Sequence, residues 1–248
     1  MTHWNTMAVN DRAPRFPTTR WSIVAAVQGP HTPDTREALE HLCATYWYPV
    51  YAFIRGLTGN AADAEDLTQG LFASLLSHGS LDSVRRELGR FRWFLLAAAR
   101  RHLAGERSRE QAQKRGGAAV PLSLDFASGD ARYRTETSSG LDPEAQYERR
   151  WAAAVMEAAE ERLRREFAAA GKAVHFEAYR ACLLDGETPL SYAEIADALG
   201  TTTGAVKAAV HRARRRFGRL LREEIAPTVS GAEQVEEEVR YLFRVLQR

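Results

Sequence analysis

Residues 191–207 read Ser191-Tyr-Ala-Glu-Ile-Ala-Asp-Ala-Leu-Gly-Thr-Thr-Thr-Gly-Ala-Val-Lys207. Ser191 and Glu194 have the spacing of a capping box, so a helix starts there. Ile195, Ala196 and Leu199 fall on one side of it and point to a core. Gly200 supplies the left-handed residue that ends the helix, and a Thr within 201–203 caps a second one. That second helix buries Val206, Val210, Ala213 and Phe217. Its opposite face carries Lys207, His211, Arg212, Arg214 and Arg215. A short helix, a glycine turn and a second helix with a basic face form a helix-turn-helix suited to a DNA major groove. An ordinary helical hairpin with a solvated charged face is the plain alternative. Coincidence of caps, turn, β-branched inner face and unbalanced cations favours DNA binding.

The rest of the chain reads as helix too. Apolar residues make up 45% and charged residues 27% of the 248, a globular composition. Ala, Leu, Arg and Glu dominate and strand-like runs are scarce, so the expected fold is all-α. The expected organisation is two helical modules joined by a flexible linker, the C-terminal one carrying the helix-turn-helix. Residues 1–19 read as a flexible arm and 20–115 as the first module, with helices near 20, over 35–57, 61–76 and 91–109. Pro30 and Pro33 end the first of these; Pro49 lies inside the second, and Gly59-Asn60 is a turn. In the fourth helix Phe94, Leu95, Ala98 and His102 are expected inward, with Arg92, Arg100, Arg101 and Arg107 toward solvent. Residues 116–142 lose all periodicity and read as the linker. Asp142-Pro143-Glu144 is a helix start, opening the second module over 143–226. After it, 227–248 forms an extension whose Val235, Val239, Leu242, Phe243 and Leu246 make an apolar stripe. That stripe is expected to pack back on the second module, or to serve a regulatory helix whose Glu233, Glu236, Glu237 and Glu238 screen the DNA-reading surface.

Charge is unevenly placed. Segment 85–115 holds ten Arg or Lys against three Glu, and 198–222 holds seven against none, each a net +7, while 223–248 has six Glu and three Arg, net −3. Two basic blocks suggest two contacts with a polyanion. The two cysteines, Cys43 and Cys182, sit apart among apolar residues and fit a reducing compartment better than a disulfide. No apolar run is long enough for a bilayer span and no secretory signal is visible, so a cytoplasmic location with no membrane partner is expected. The seven histidines are scattered without metal-ligand spacing, and no phosphate loop or nucleophile elbow appears. Neither a cofactor nor a metal is expected, and the chain reads as a binding protein, not an enzyme.

Taken together, residues 20–223 resemble bacterial RNA polymerase sigma factors of the extracytoplasmic-function (ECF) class. Two segments carry the first half of the resemblance: Tyr46-Trp-Tyr-Pro-Val-Tyr-Ala-Phe-Ile-Arg55 and Asp63-Ala-Glu-Asp-Leu-Thr-Gln69. The resemblance implies that Asp63, Glu65, Asp66 and Gln69 dock on the coiled coil of the largest catalytic subunit of core RNA polymerase. Gly70 departs from the family, which commonly has Glu there. Gly89-Arg-Phe-Arg-Trp-Phe-Leu-Leu-Ala-Ala-Ala-Arg-Arg-His-Leu103 looks like the promoter-melting and downstream-element region. Phe91, Arg92, Trp93, Arg100 and Arg101 are its candidate contacts, aromatic groups for unstacked bases and arginines for phosphate. The helix-turn-helix resembles the unit that reads the upstream promoter element, with Thr203, Lys207, His211, Arg212, Arg214 and Arg215 as candidates. Val120-Pro-Leu-Ser-Leu-Asp125 resembles the connector of such proteins, which implies disorder until bound.

The function expected is therefore binding of core RNA polymerase, recognition of promoter DNA and its opening for transcription initiation. An anti-sigma partner is left open. The alternative is a helix-turn-helix regulator that never joins polymerase. The Asp63–Gln69 and Phe91–Trp93 segments discriminate, because such a regulator needs neither. A degenerate family member acting as an interaction module is a third reading, opposed by the intact basic faces.

Overall fold

The computed structural model describes residues 33–76, 90–110, 124–136, 142–183, 191–229 and 231–247. All regular structure among them is helical: α1 (Pro33–Thr58), α2 (Ala61–Leu76), α3 (Phe91–Glu110), α4 (Phe126–Glu136), α5 (Pro143–Ala169), α6 (Ala173–Arg180), α7 (Tyr192–Ala198), α8 (Thr203–Ile225), a 3-10 turn (Ala226–Thr228) and α9 (Ala232–Leu246). The arm and the helix expected near residue 20 lie outside the described residues, as do residues 116–123 and 137–141 of the linker. Helix α1 continues through Pro49, and Gly59, at φ +73°, makes the turn into α2.

Helix α1 is the spine of the first module. Its Val50, Phe53 and Ile54 are buried between α2 and α5, with Ala64, Leu71, Phe72 and Leu75 arriving from α2 and Leu95, Ala99 and Leu103 from α3. The same apolar cluster also takes Trp151, Val155, Ala159 and Leu163 from α5, Phe217, Leu220, Leu221 and Ile225 from α8, and Val235, Val239, Leu242 and Val245 from α9. The two halves of the sequence thus share one core. A smaller cluster of Tyr179, Cys182, Ile195, Ala196, Val206 and Val210 belongs to the helix-turn-helix. Burying each large side chain contributes about 1.5–3 kcal/mol, so α5, which serves both halves, does much of the joining. Its start is the one expected from the sequence: the Asp142 side chain accepts from the backbone N–H of Glu144 and Ala145, and Pro143 leads the first turn.

Residues 126–136 correct the linker expectation. They form α4, whose Phe126, Gly129 and Tyr133 are buried. The polar residues that hid this helix are its docking groups. Asp130 accepts hydrogen bonds from the Tyr51 hydroxyl and Arg55 Nε, both at 3.1 Å. Glu136 accepts from the Tyr48 hydroxyl (2.6 Å), Arg132 Nε (2.6 Å) and the buried Arg150 Nε (3.1 Å). Burial works to raise the Glu136 carboxyl, but these donors outweigh it and hold it below the ordinary carboxylate range.

Gly129 is where α4 meets the Trp47 indole: an added Cβ would lie 2.8 Å from Trp47 Cη2, whereas one at Gly105 in α3 would meet nothing within 4 Å. Gly129→Ala should therefore destabilise by roughly 1 kcal/mol, overpacking at about 1–3 kcal/mol exceeding the helix-propensity gain of under about 1 kcal/mol. Gly105→Ala, with only the gain, should stabilise by about 0.5–1 kcal/mol. Chemical denaturation of both variants checks the opposite signs; stabilisation by Gly129→Ala would show that Trp47 yields freely.

Candidate nucleic-acid interface

The helix-turn-helix is built as its caps dictate. The Ser191 hydroxyl accepts from the Glu194 backbone N–H (3.2 Å), and the Glu194 carboxylate accepts from the Ser191 backbone N–H (2.6 Å). That second bond holds the Glu194 carboxyl below its usual range. Gly200, at φ +61°, turns the chain, and Thr202, capping through its hydroxyl to the Ala205 N–H (3.2 Å), starts α8. Val206 and Val210 then close on Ile195 and Ala196.

At 23 residues, α8 spans two environments. Its first half belongs to the helix-turn-helix cluster and its second half to the main core. The recognition helix is thereby fixed to the body of the protein. On its outer side Thr203, Lys207, His211, Arg212 and Arg215 are exposed. Gly204, Ala205 and Ala208 lie exposed among them, small enough to let the helix backbone approach a duplex. Arg219 continues the stripe and is also exposed. The sequence reading omitted it, although its spacing from Arg212 and Arg215 is helical.

Arg214 departs from expectation. It is half-buried, and its Nε donates to the Cys182 carbonyl at 2.6 Å, tying α8 to the segment after α6. At 100° per residue Arg214 falls beside the buried arc of Val206, Val210 and Phe217, not opposite it. Arg216 and Arg222 are also engaged, Arg216 with Glu166 and Glu223, and Arg222 with Glu236. The cationic face open to a polyanion is thus Lys207, Arg212, Arg215 and Arg219, none of which has a carboxylate at ion-pair distance among the described residues.

Helix α3 divides its candidates. Trp93 is 51% exposed, and Arg100 and Arg101 are exposed on the same side. Arg100 forms an ion pair with Glu144. Phe91 and Arg92 point the other way, and the expectation that Arg92 faces solvent is corrected. Phe91 is buried edge-on against Tyr46, centroids 5.3 Å apart. Arg92 is 2% exposed. Its Nε donates to Glu238 at 2.8 Å and its Nη1 to Glu148 at 3.2 Å. Its guanidinium lies 4.1 Å from the Tyr241 ring centroid and 4.8 Å from that of Trp151. Burial pulls the Arg92 pKa down, but the Glu238 carboxylate outweighs it and the net direction is upward. Nearby, Tyr147 donates to the Arg92 carbonyl (2.9 Å), and burial pushes the Tyr46 hydroxyl up to about 12. The side chain of Arg107 lies outside the described residues.

On α2, Asp63 and Asp66 are exposed, and Glu65 and Gln69 are half-buried. Ala64, Thr68, Leu71 and Phe72 take the inner face, with the Thr68 hydroxyl donating to the Ala64 carbonyl. Gly70 faces α3: an added Cβ would lie 3.2 Å from His102 Nε2. A larger residue at that position would have to move His102.

Three acids of the extension are engaged away from the recognition stripe, against the screening alternative. Glu236 pairs with Arg222, Glu237 with Arg90, and Glu238 with Arg90 and Arg92. The apolar stripe packs on α5 and α8. Among the described residues no cluster of His, Cys, Asp and Glu could hold a metal ion, and no helix is long and apolar enough to cross a membrane. Cys182 is a buried free thiol.

Residues 189–217 match the family model described as Sigma-70, region 4. No curated protein and no solved structure matches the chain. The matched segment comprises α7, the Gly200 turn and the first two-thirds of α8, the part that carries Thr203, Lys207, His211, Arg212 and Arg215. The match likens these 29 of the 248 residues to region 4 of sigma factors, and the rest of the chain lies outside it.

Proposed function

We propose that the chain is a sigma factor of the ECF class, acting in the cytoplasm by binding and not by covalent chemistry. The observation that carries this is the exposed face of α8, cationic and without carboxylate partners among the described residues, on a capped helix-turn-helix inside the matched segment. In this reading α8 lies in the major groove of the upstream promoter element, with Thr203 and Lys207 nearest the bases and Arg212, Arg215 and Arg219 along the phosphates. Asp63 and Asp66, with Glu65 and Gln69 at the margin, offer core RNA polymerase an acidic helix face suited to arginines on a partner helix. Trp93, Arg100 and Arg101 make an outward strip on α3 that offers opened DNA one stacking surface and a phosphate contact at Arg101, with a second at Arg100 in exchange for Glu144.

The test is to mix the full-length protein with bacterial core RNA polymerase and transcribe from a promoter library. A stable complex that initiates at a selected set of promoters is expected, and Asp63→Lys with Asp66→Lys should abolish it while leaving duplex binding unchanged. Salt-dependent duplex binding without a polymerase complex would make the protein a conventional helix-turn-helix regulator.

A further inference from the structure

The start of α3 is electrostatically odd. Three residues there, Arg90, Phe91 and Arg92, place two cations at a helix N-terminus, where the macrodipole already puts partial positive charge. The first turn carries no acid of its own. Counter-charge comes from the far end of the chain. Glu238 takes Arg90 Nε and Arg92 Nε, both at 2.8 Å, and Glu237 takes Arg90 Nη2 at 2.8 Å. Glu238 and Arg92 are 1% and 2% exposed, so a buried ion pair joins residues 146 positions apart.

An ion pair at such a place is a poor device for stability alone, because apolar residues of similar volume do as well or better when both charges are desolvated. It is a good device for exchange. A phosphate brings the same charge to Arg92 that Glu238 removes on leaving, so swapping one for the other never leaves the guanidinium uncompensated. Helix α9 is also arranged to come off as a unit. It is the last element of the described chain and follows the 3-10 turn after only three residues, 229–231. One apolar face, Val235, Val239, Leu242 and Val245, holds it, and its short tether keeps it at high effective concentration for return. The recognition stripe of α8 is left uncovered by these contacts.

We propose that α9 is an intramolecular latch, in which Glu237 and Glu238 occupy Arg90 and Arg92 and so withhold the start of α3 from single-stranded DNA until the helix is displaced. The inference rests on the reading of α3 as the surface that meets opened DNA. It assigns the duplex-reading face of α8 and the Trp93, Arg100 and Arg101 strip as open in the free protein, and Arg90 and Arg92 at the start of α3 as withheld.

The experiment measures binding of the full-length protein to a fluorescein-labelled mixed-sequence oligonucleotide of about 20 nucleotides, long enough to cover a typical single-strand site, and to a duplex of the same length. Glu237→Lys, at a half-exposed position, turns the Arg90 contact repulsive without disturbing the core. Leu242→Asp opens the apolar seam directly. Glu233→Lys makes the same charge change on α9 at an exposed site with no ion pair among the described residues, and so controls for net charge. Glu237→Lys and Leu242→Asp should tighten single-strand binding by about 5- to 50-fold, in the range of ordinary intramolecular coupling, with duplex affinity unchanged. Glu233→Lys should have under about a twofold effect, the size expected of a screened surface charge. By reciprocity, the oligonucleotide should speed hydrogen exchange of residues 232–246 in the unmodified protein, a readout that stands even if Leu242→Asp fails to fold. Single-strand binding with unchanged exchange in α9, and equal affinity in Glu237→Lys and Glu233→Lys, would overturn the latch and leave the α3 reading intact. Absence of single-strand binding by all of these proteins, with duplex binding retained, would overturn the α3 reading and the latch with it.

Discussion

Glu238→Ala should destabilise the folded protein by about 3–5 kcal/mol, the cost of leaving a buried charge without its partner. The guanidinium left behind is 2% exposed and enclosed by Trp151 and Tyr241. Glu148 remains within 3.2 Å of Arg92, which places the expectation toward the lower end of that range. The loss has a ceiling, because undocking α9 would return Arg92 to water; the measured value cannot exceed the free energy of that undocking. Replacing both partners tells the two contributions apart. Arg92→Met with Glu238→Leu restores apolar packing without a buried charge and should lie within about 1 kcal/mol of the unmodified protein, or above it. Urea denaturation of the two singles and the double, read as a double-mutant cycle, measures this. A loss under about 1 kcal/mol for Glu238→Ala would mean that water reaches Arg92 in the folded state.

That pair marks the limit of what the sequence makes legible. The helix-turn-helix was readable because its signals are local: Ser191 and Glu194 three residues apart, Gly200 at the turn, and Val206 and Val210 one helical turn apart. The bounds of α2 were readable for the same reason, lying between the Gly59-Asn60 turn and the end of an apolar stripe. Arg92 was misplaced because a helical projection assigns every cation to water, and the carboxylate that draws it inside lies on another helix far along the chain. Helix α4 was missed because its anchors, Phe126 and Tyr133, are separated by Gly, Ser and Asp, which read as loop. Their polarity is satisfied by Tyr48, Tyr51 and Arg55 of α1, again a long-range supply. The same cause explains Arg214, whose acceptor is a backbone carbonyl and carries no sequence signal at all.

The division between paired and open cations predicts how DNA binding is shared among arginines of one helix. Arg212→Ala with Arg215→Ala removes two exposed charges from the outer face of α8. Duplex affinity at moderate salt should fall by about 10- to 100-fold, and the slope of log affinity against log salt should shrink by about 2, close to one for each phosphate no longer neutralised. Arg216→Ala removes the same kind of charge four residues from Arg212, but that guanidinium already holds Glu166 and Glu223 at 2.6 and 3.0 Å. Its loss should leave the salt slope unchanged and affinity within about twofold, since a cation neutralised by carboxylates displaces no counterions from DNA. Titrations of a promoter duplex against each variant between low and moderate salt separate the two cases. An unchanged slope for the double variant with a smaller one for Arg216→Ala would mean that α8 meets DNA through a different face, with Glu166 and Glu223 surrendering Arg216 on binding. A smaller slope for the double variant alone would fix the outer stripe of α8 as the surface against the phosphates.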